Sequence, residues 1–209
     1  MAQALQRTGQ KDEVKKELAE LQRINTAKAN AGRAMILVET AEGHMENGEF
    51  NTAVTELQEA TTLSPDFGEA YYQLGLALRQ SADGRTRSAE SAFERALQLN
   101  PNEARAYLQL ALLLESRGDK AQATALLEKA VQLAPGLTEA HLELGRLAKD
   151  SRDWPTAVRE FEAALAWNLE NAKAHYDLAA ALKANGQLEE AAHELQIAQK
   201  LNPALKAPR

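Results

Sequence analysis

Apolar residues return along this chain in paired helical stripes. Leu74, Gly75 and Leu78 lie within one helical turn of each other, and after a polar interval Ala89, Phe93 and Ala96 repeat the spacing. Separations of three and four residues put side chains on one face of an α-helix, so this stretch predicts two amphipathic helices joined by a turn. The same skeleton returns five times, at a spacing of 34 residues broken once by two extra residues. Counted from Ala34, place 7 carries Thr40, Leu74, Leu110, Leu144 and Leu178, and place 11 carries His44, Leu78, Leu114, Ala148 and Leu182. Place 8, beside them, is always small: Ala41, Gly75, Ala111, Gly145, Ala179. On the second helix, place 20 is Ala53, Ala89, Ala123, Ala157 and Ala191, and place 27 is Ala60, Ala96, Ala130, Ala164 and Ala198. Place 24 sits one turn from both and carries Leu57, Phe93, Leu127, Phe161 and Leu195.

Small residues recurring at fixed places predict helices that approach closely. Glycine inside a helix costs about 0.5–1 kcal/mol relative to alanine, so Gly75 and Gly145 need tight packing of the second helix to offset that loss. The turn residues agree. Place 15 holds Gly48, Gly84, Gly118 and Gly186, where a left-handed residue ends the first helix. Place 32 holds Pro65, Pro101, Pro135 and Pro203, which stop the second. The fourth copy departs at both, with Arg152 and Leu169, and offers Asp153-Trp154-Pro155 as a cap followed by proline. The two extra residues fall among Gln80–Asp83 in the second copy.

Self-similarity at this period marks a repeat array whose units bury their faces against neighbours. The runs YQLGLAL…SAFERALQLNP, YLQLALLL…ALLEKAVQLAP, HLELGRLA…REFEAALAWN and YDLAAALK…HELQIAQKLNP, with LVETAEGH…TELQEATTLSP first, resemble the tetratricopeptide repeat family. The resemblance covers Ala34 to Leu205 and implies an all-α right-handed superhelix of repeats at residues 34–67, 68–103, 104–137, 138–171 and 172–205, with a tail at 206–209. Upstream, Gly9 to Asn25 aligns without gaps on Gly186 to Asn202. Residues 1–33 therefore read as a partial repeat with a turn at Gly9, a second helix to Asn25 and a connector near Thr26–Arg33. That reading makes the chain a segment of a longer protein. At place 28 the middle repeats carry Leu97, Val131 and Leu165, whereas Thr61, Gln22 and Gln199 stand at the others, as solubilising edges would.

Composition narrows the function. The chain is 44% hydrophobic and 26% charged, with a net charge of -6 and no cysteine. The negative charge argues against nucleic acid as the partner, and the missing cysteines remove disulfides, thiolate metal sites and thiol nucleophiles. No apolar run is long enough to span a membrane. His44, His141, His175 and His193 do not pair at the spacing of a helical metal site, and most fall at packing places. No nucleophile elbow or phosphate-cradling loop occurs. The expectation is a protein that is not an enzyme, with no cofactor, metal or catalytic residue. Trp154 and Trp167 read as packing residues, with a lateral docking surface as the alternative; the basic group Arg79, Arg85 and Arg87 reads as a solvated loop.

The family resemblance implies that first helices line a concave groove, with places 2, 5, 6, 9, 12 and 13 facing a ligand. Place 5 supplies Val38, Tyr72, Leu108, Leu142 and Tyr176, and place 9 supplies Glu42, Leu76, Leu112 and Arg146. Tyr72, Leu76, Leu108, Leu112 and Leu142 then form an apolar strip beside the polar row Gln73, Gln109 and Glu143. Glu39, Glu42 and Glu46 stand towards one end; Arg146, Lys149, Lys173 and Lys183 stand towards the other, with Arg79 between. This arrangement suits a peptide or protein segment with an apolar centre and opposed terminal charges. The residues of the family's clamp for chaperone C-terminal carboxylates are matched only at Arg105. The expected function is a non-catalytic protein-binding scaffold. A regulatory or substrate-recruiting array of a larger enzyme or membrane assembly, and a self-associating module that forms a homo-oligomer, remain open beside it.

Overall fold

The computed structural model describes residues 2–81 and 86–205. Among them lie ten helices and no strand: α1 (Ala2–Glu46), α2 (Phe50–Leu63), α3 (Gly68–Gln80), α4 (Thr86–Leu99), α5 (Ala104–Ser116), α6 (Lys120–Leu133), α7 (Thr138–Asp150), α8 (Trp154–Trp167), α9 (Ala172–Ala184) and α10 (Leu188–Leu201). After α1 the helices alternate between 14 and 13 residues without exception. This alternation is what a constant hairpin unit requires. The chain divides into two compact units, one ending at Leu99 and the other starting at Asn100. In the first, α1 pairs with α2, α3 pairs with α4, and α2 lies against α3. In the second, α5–α6, α7–α8 and α9–α10 form hairpins, with α6 against α7 and α8 against α9.

The close approach inside each hairpin is a matter of matched sizes. A Cβ placed on Gly75 would lie 2.5 Å from the Phe93 ring, and one on Gly145 would lie 2.6 Å from the Phe161 ring. Phe93 and Phe161 are wholly enclosed. Where place 8 is the larger alanine, as at Ala41 and Ala111, place 24 is the smaller leucine, Leu57 or Leu127, and all four are buried. Every place-20 and place-27 alanine of the five repeats is buried as well.

α1, α5, α7 and α9 each run into a left-handed residue, whereas α3 ends in extended backbone at Ser81. Gly48, Gly118 and Gly186 have φ of +79°, +91° and +86°, and the next N–H donates to the carbonyl five residues back, as in Glu49 to His44 at 2.8 Å. Arg152 takes the same conformation at φ +64°, with Asp153 N–H donating to Ala148 O at 2.9 Å. A non-glycine residue there costs about 1 kcal/mol. Asp153 offsets it by accepting the Thr156 N–H at 3.3 Å, with Pro155 in the first turn of α8. Gly84, Arg85 and most of the two-residue insertion lie outside the described residues.

In α1 the structure differs from the alignment. It is a single helix through Gly9 and through residues 26–33, where the register predicts a turn and a connector. The places that are alanine in every full repeat are occupied here by Val14 and Leu21, too bulky for a close hairpin. Residues 13–23 are mostly strong helix formers, and the helix runs on through Gly9, Asn30 and Gly32 despite their low propensity. The described side chains from Lys11 to Ala29 are exposed. Only from Ala34 onward does the helix bury a face, through Ala34, Val38 and Ala41, and Arg33 reaches Glu59 of α2 at 2.5 Å.

Candidate functional site

The first helices carry the candidate residues in two separate groups. In the unit ending at Leu99, Val38 and Tyr72 are buried, and the Tyr72 ring sits 5.9 Å from that of Phe93. They belong to the core. Gln73 is also buried and donates through Nε2 to Glu42 at 2.6 Å and to Glu69 at 2.9 Å. Leu76 remains half-buried, while Glu42 and Arg79 are exposed.

In the unit starting at Asn100, Leu108 is buried in a cluster with Ala111, Leu127, Ala140 and Leu144. Leu112, Leu142 and Tyr176 are half-buried on α5, α7 and α9, and Lys183 is exposed. The Gln109 side chain is buried, and its Oε1 has no hydrogen-bond partner among the described residues. The charged residues beside these apolar groups hold one another. Arg146 contacts Glu115 of α5, donates to Glu143 at 2.7 Å and lies 3.7 Å from Asp150. Lys149 reaches Asp177 of α9 at 2.5 Å. Lys120 of α6 reaches Asp150 at 2.9 Å. Burial alone would pull the Arg146 guanidinium down, but hydrogen bonds to Glu115 and Glu143 and their charges leave it raised above its ordinary value. The hydrogen bond from Lys120 holds the Asp150 carboxyl below the usual range against its partial burial, and the charges of Lys120, Arg146 and Lys149 add to the effect. Charges that the sequence assigns to reading a ligand's ends are therefore engaged, at Arg146 and Lys149, in joining successive hairpins.

Two histidines form a repeated device that the sequence reading placed only as packing residues. His141 Nδ1 lies 2.8 Å from Glu160 of α8, and its Nε2 lies 3.0 Å from the Pro135 carbonyl. His175 repeats this with Glu194 at 2.5 Å and the Leu169 carbonyl at 3.0 Å. Each ring pins a first helix both to its own second helix and to the turn before it. The available signal was the pairing of histidine at place 4 with glutamate at place 23 in two successive repeats. His44 meets Glu49 and Glu56 at 2.6 and 3.6 Å. Among the described residues no cluster of three metal-ligating side chains forms. No described helix is long and apolar enough to cross a membrane. Trp154 is half-buried; Trp167 is 65% exposed, its ring lying beside Gly136.

The cavities lie elsewhere. One of about 520 Å³ opens between α6, α7 and α8, lined in part by Thr124, Glu128, Leu144, Ala148, Thr156 and Arg159. Another of about 500 Å³ lies between α2, α3 and α4, lined in part by Gln58, Leu74, Leu78, Ser88 and Ser91. Both are floored by places 7 and 11 and walled by consecutive second helices. The alternation of small and large residues does not reveal them, because it sets the spacing within a hairpin and not between hairpins.

Family models described as TPR repeat and tetratricopeptide repeat match residues 44–81 and residues 80–138 and 142–205, respectively. No curated protein matches the chain in sequence. Several solved structures share the fold. A structure of MamA from Desulfovibrio magneticus RS-1 is 21% identical, covers 84% of this chain and 98% of its own, and has a TM-score of 0.69. PilF of Pseudomonas aeruginosa is 17% identical over 83% of this chain and 78% of its own, with a TM-score of 0.74. YrrB, described as a TPR protein with an unusual peptide-binding site, is 22% identical over 82% of this chain and 87% of its own, with a TM-score of 0.64.

Proposed function

Because the chain belongs to the tetratricopeptide repeat family, we propose that it is a non-catalytic scaffold that captures a segment of another protein on its first-helix face. The reading centres on α5, α7 and α9 and rests on one observation. Leu112, Leu142 and Tyr176 stay half-buried there, in a surface whose charged neighbours are already paired with one another. Exposed apolar area in such a setting favours a partner that brings apolar side chains. The ion pairs hold the hairpins in place, and the partner's own charges contribute less than its shape. In the other unit, Leu76 and Arg79 reach the surface of the first helices, and Val38, Tyr72 and Gln73 are buried. The peptide-binding site described for YrrB belongs to the same functional class.

Selection from a displayed peptide library, followed by photocrosslinking of the peptide recovered, tests this directly. Crosslinks are expected on α5, α7 and α9, and Leu112→Ser with Leu142→Ser should abolish binding while helical circular dichroism at 25 °C is kept, with the melting temperature lowered because both leucines pack partly against the core. Crosslinks confined to the cavity between α6, α7 and α8, or binding that survives both substitutions, would overturn the assignment.

A further inference from the structure

The cavity between α2, α3 and α4 differs in charge from its counterpart between α6, α7 and α8. Both keep a floor from places 7 and 11, Leu74 and Leu78 in the first and Leu144 and Ala148 in the second. The walls differ place by place. Gln58 stands where the other cavity has Glu128, Ser91 where it has Arg159, and Ala92 where it has Glu160. At place 4, Tyr71 stands where His141 meets Glu160. The histidine–glutamate pair is thus absent here, and among the described residues no carboxylate lines the cavity. The charged side chain that does line it is Arg87, grouped by the sequence with a solvated loop and placed in the first turn of α4. We propose that this cavity binds a phosphoryl group carried on an apolar body, with Arg87 as the cationic anchor.

The donors around the cavity set the ligand class. Arg87 brings a fork of N–H groups, Gln58 an amide, and Tyr71, Ser88 and Ser91 a hydroxyl each. Among the described residues, none of these side chains spends its donors on a hydrogen bond or an ion pair. A second cation stands beside them. The Arg95 guanidinium lies 5.7 Å from the centre of the Tyr71 ring, and its hydrogen bonds go to the neutral oxygens of Gln98 and Pro65, at 3.0 and 3.3 Å. Its charge is therefore not cancelled by an acid. A phosphomonoester supplies three acceptor oxygens and a charge of about -1.5 to -2 at neutral pH. A carboxylate offers two oxygens and a single charge, and would leave more of these donors unused.

The rest of the ligand follows from the floor. Leu74, Leu78 and Ala92 are apolar, and a bare phosphate would leave them uncovered. A volume of about 500 Å³ has room for an attached ring or short chain, within the range of small-molecule sites. Tyr71 is half-buried, while Gln58, Arg87, Ser88 and Ser91 stand at an exposed rim. Charge attraction at such a rim is screened by salt, so binding weakens as ionic strength rises.

Titration of the whole isotope-labelled chain with phenyl phosphate, followed by NMR, tests this site. The expected result is a saturable response concentrated at Tyr71, Ser88 and Ser91. Arg87→Glu and Ser91→Glu should each weaken it about tenfold or more. Both residues are exposed, so the melting of the repeats should stay the same. Phenol and inorganic phosphate should each bind more weakly than phenyl phosphate. A peptide with one phosphotyrosine that binds about tenfold tighter than phenyl phosphate assigns the group to a protein segment, and one that binds no tighter assigns it to a free ester. Leu112→Ser with Leu142→Ser should leave phenyl phosphate binding unchanged, which separates this inference from the groove reading. No saturable response at millimolar phenyl phosphate overturns the proposal. So do shifts centred away from the cavity, binding that survives both glutamate substitutions, or phenol or inorganic phosphate binding as tightly as phenyl phosphate.

Discussion

Within the unit starting at Asn100, the interiors of the hairpins and the junctions between them are held in different ways. Inside a hairpin, the contact is apolar and matched in volume, with Gly145 beneath Phe161 and Ala111 in the same cluster as Leu127. Between hairpins the buried apolar clusters continue, Leu127 with Ala140 and Leu144 and Phe161 with Ala174 and Leu178, and long polar side chains add to them: Arg146 to Glu115, Lys149 to Asp177, Lys120 to Asp150, and the two histidines to carbonyls of preceding turns. Volume-matched contacts in a closed core have one good arrangement and are costly to alter. Partly exposed ion pairs individually contribute little, about 0–1 kcal/mol. The polar links are therefore the part of each junction that is easier to adjust, and the apolar clusters shared by successive hairpins are the costlier part.

The largest expected effect comes from emptying a hairpin interior. Phe161→Ala should cost about 3–5 kcal/mol, measured as a lowered urea midpoint. Gly145→Ala adds a carbon where the Phe161 ring already lies and should cost about 1–3 kcal/mol. Combining it with Phe161→Leu recreates the pairing of Ala111 with Leu127, so the double variant should recover most of the loss. A double variant as unstable as the sum of the single changes would break the size-matching account. The smallest effect belongs to a junction. Asp150 titrates below its ordinary range in the folded chain, so its contribution is full above the unfolded carboxyl value of about 3.9 and disappears as pH falls through the depressed value. Asp150→Asn should therefore lower stability slightly at neutral pH and leave it less sensitive to acid, as a pH series of thermal melts would show.

Much of this contrast was legible in the residues themselves. The alanines at places 20 and 27, and the small residue at place 8, report a steric demand that only close helices impose, so hairpins, lengths and turns followed. Arg152 and Asp153 were readable too, because a cap and a proline compensate for the missing glycine. The junctions were not. Arg146 has Glu115, Glu143 and Asp150 all within reach, and periodicity assigns it a place but not a partner. The burial of Tyr72 and Leu108 was hidden for a related reason: a groove place and a core place share one helix turn, and only the packed neighbours distinguish them. In α1 the alignment captured residue types, yet Val14 and Leu21 in place of alanines removed the close packing that would have folded the segment back.

The continuity of α1 also sets a distance. A helix advances 1.5 Å per residue, so residues 2–33 measure roughly 48 Å from end to end. Anything engaged at the far tip of that rod is held at a standoff set by residue count, and inserting or deleting whole turns would lengthen or shorten the gap like marks on a ruler.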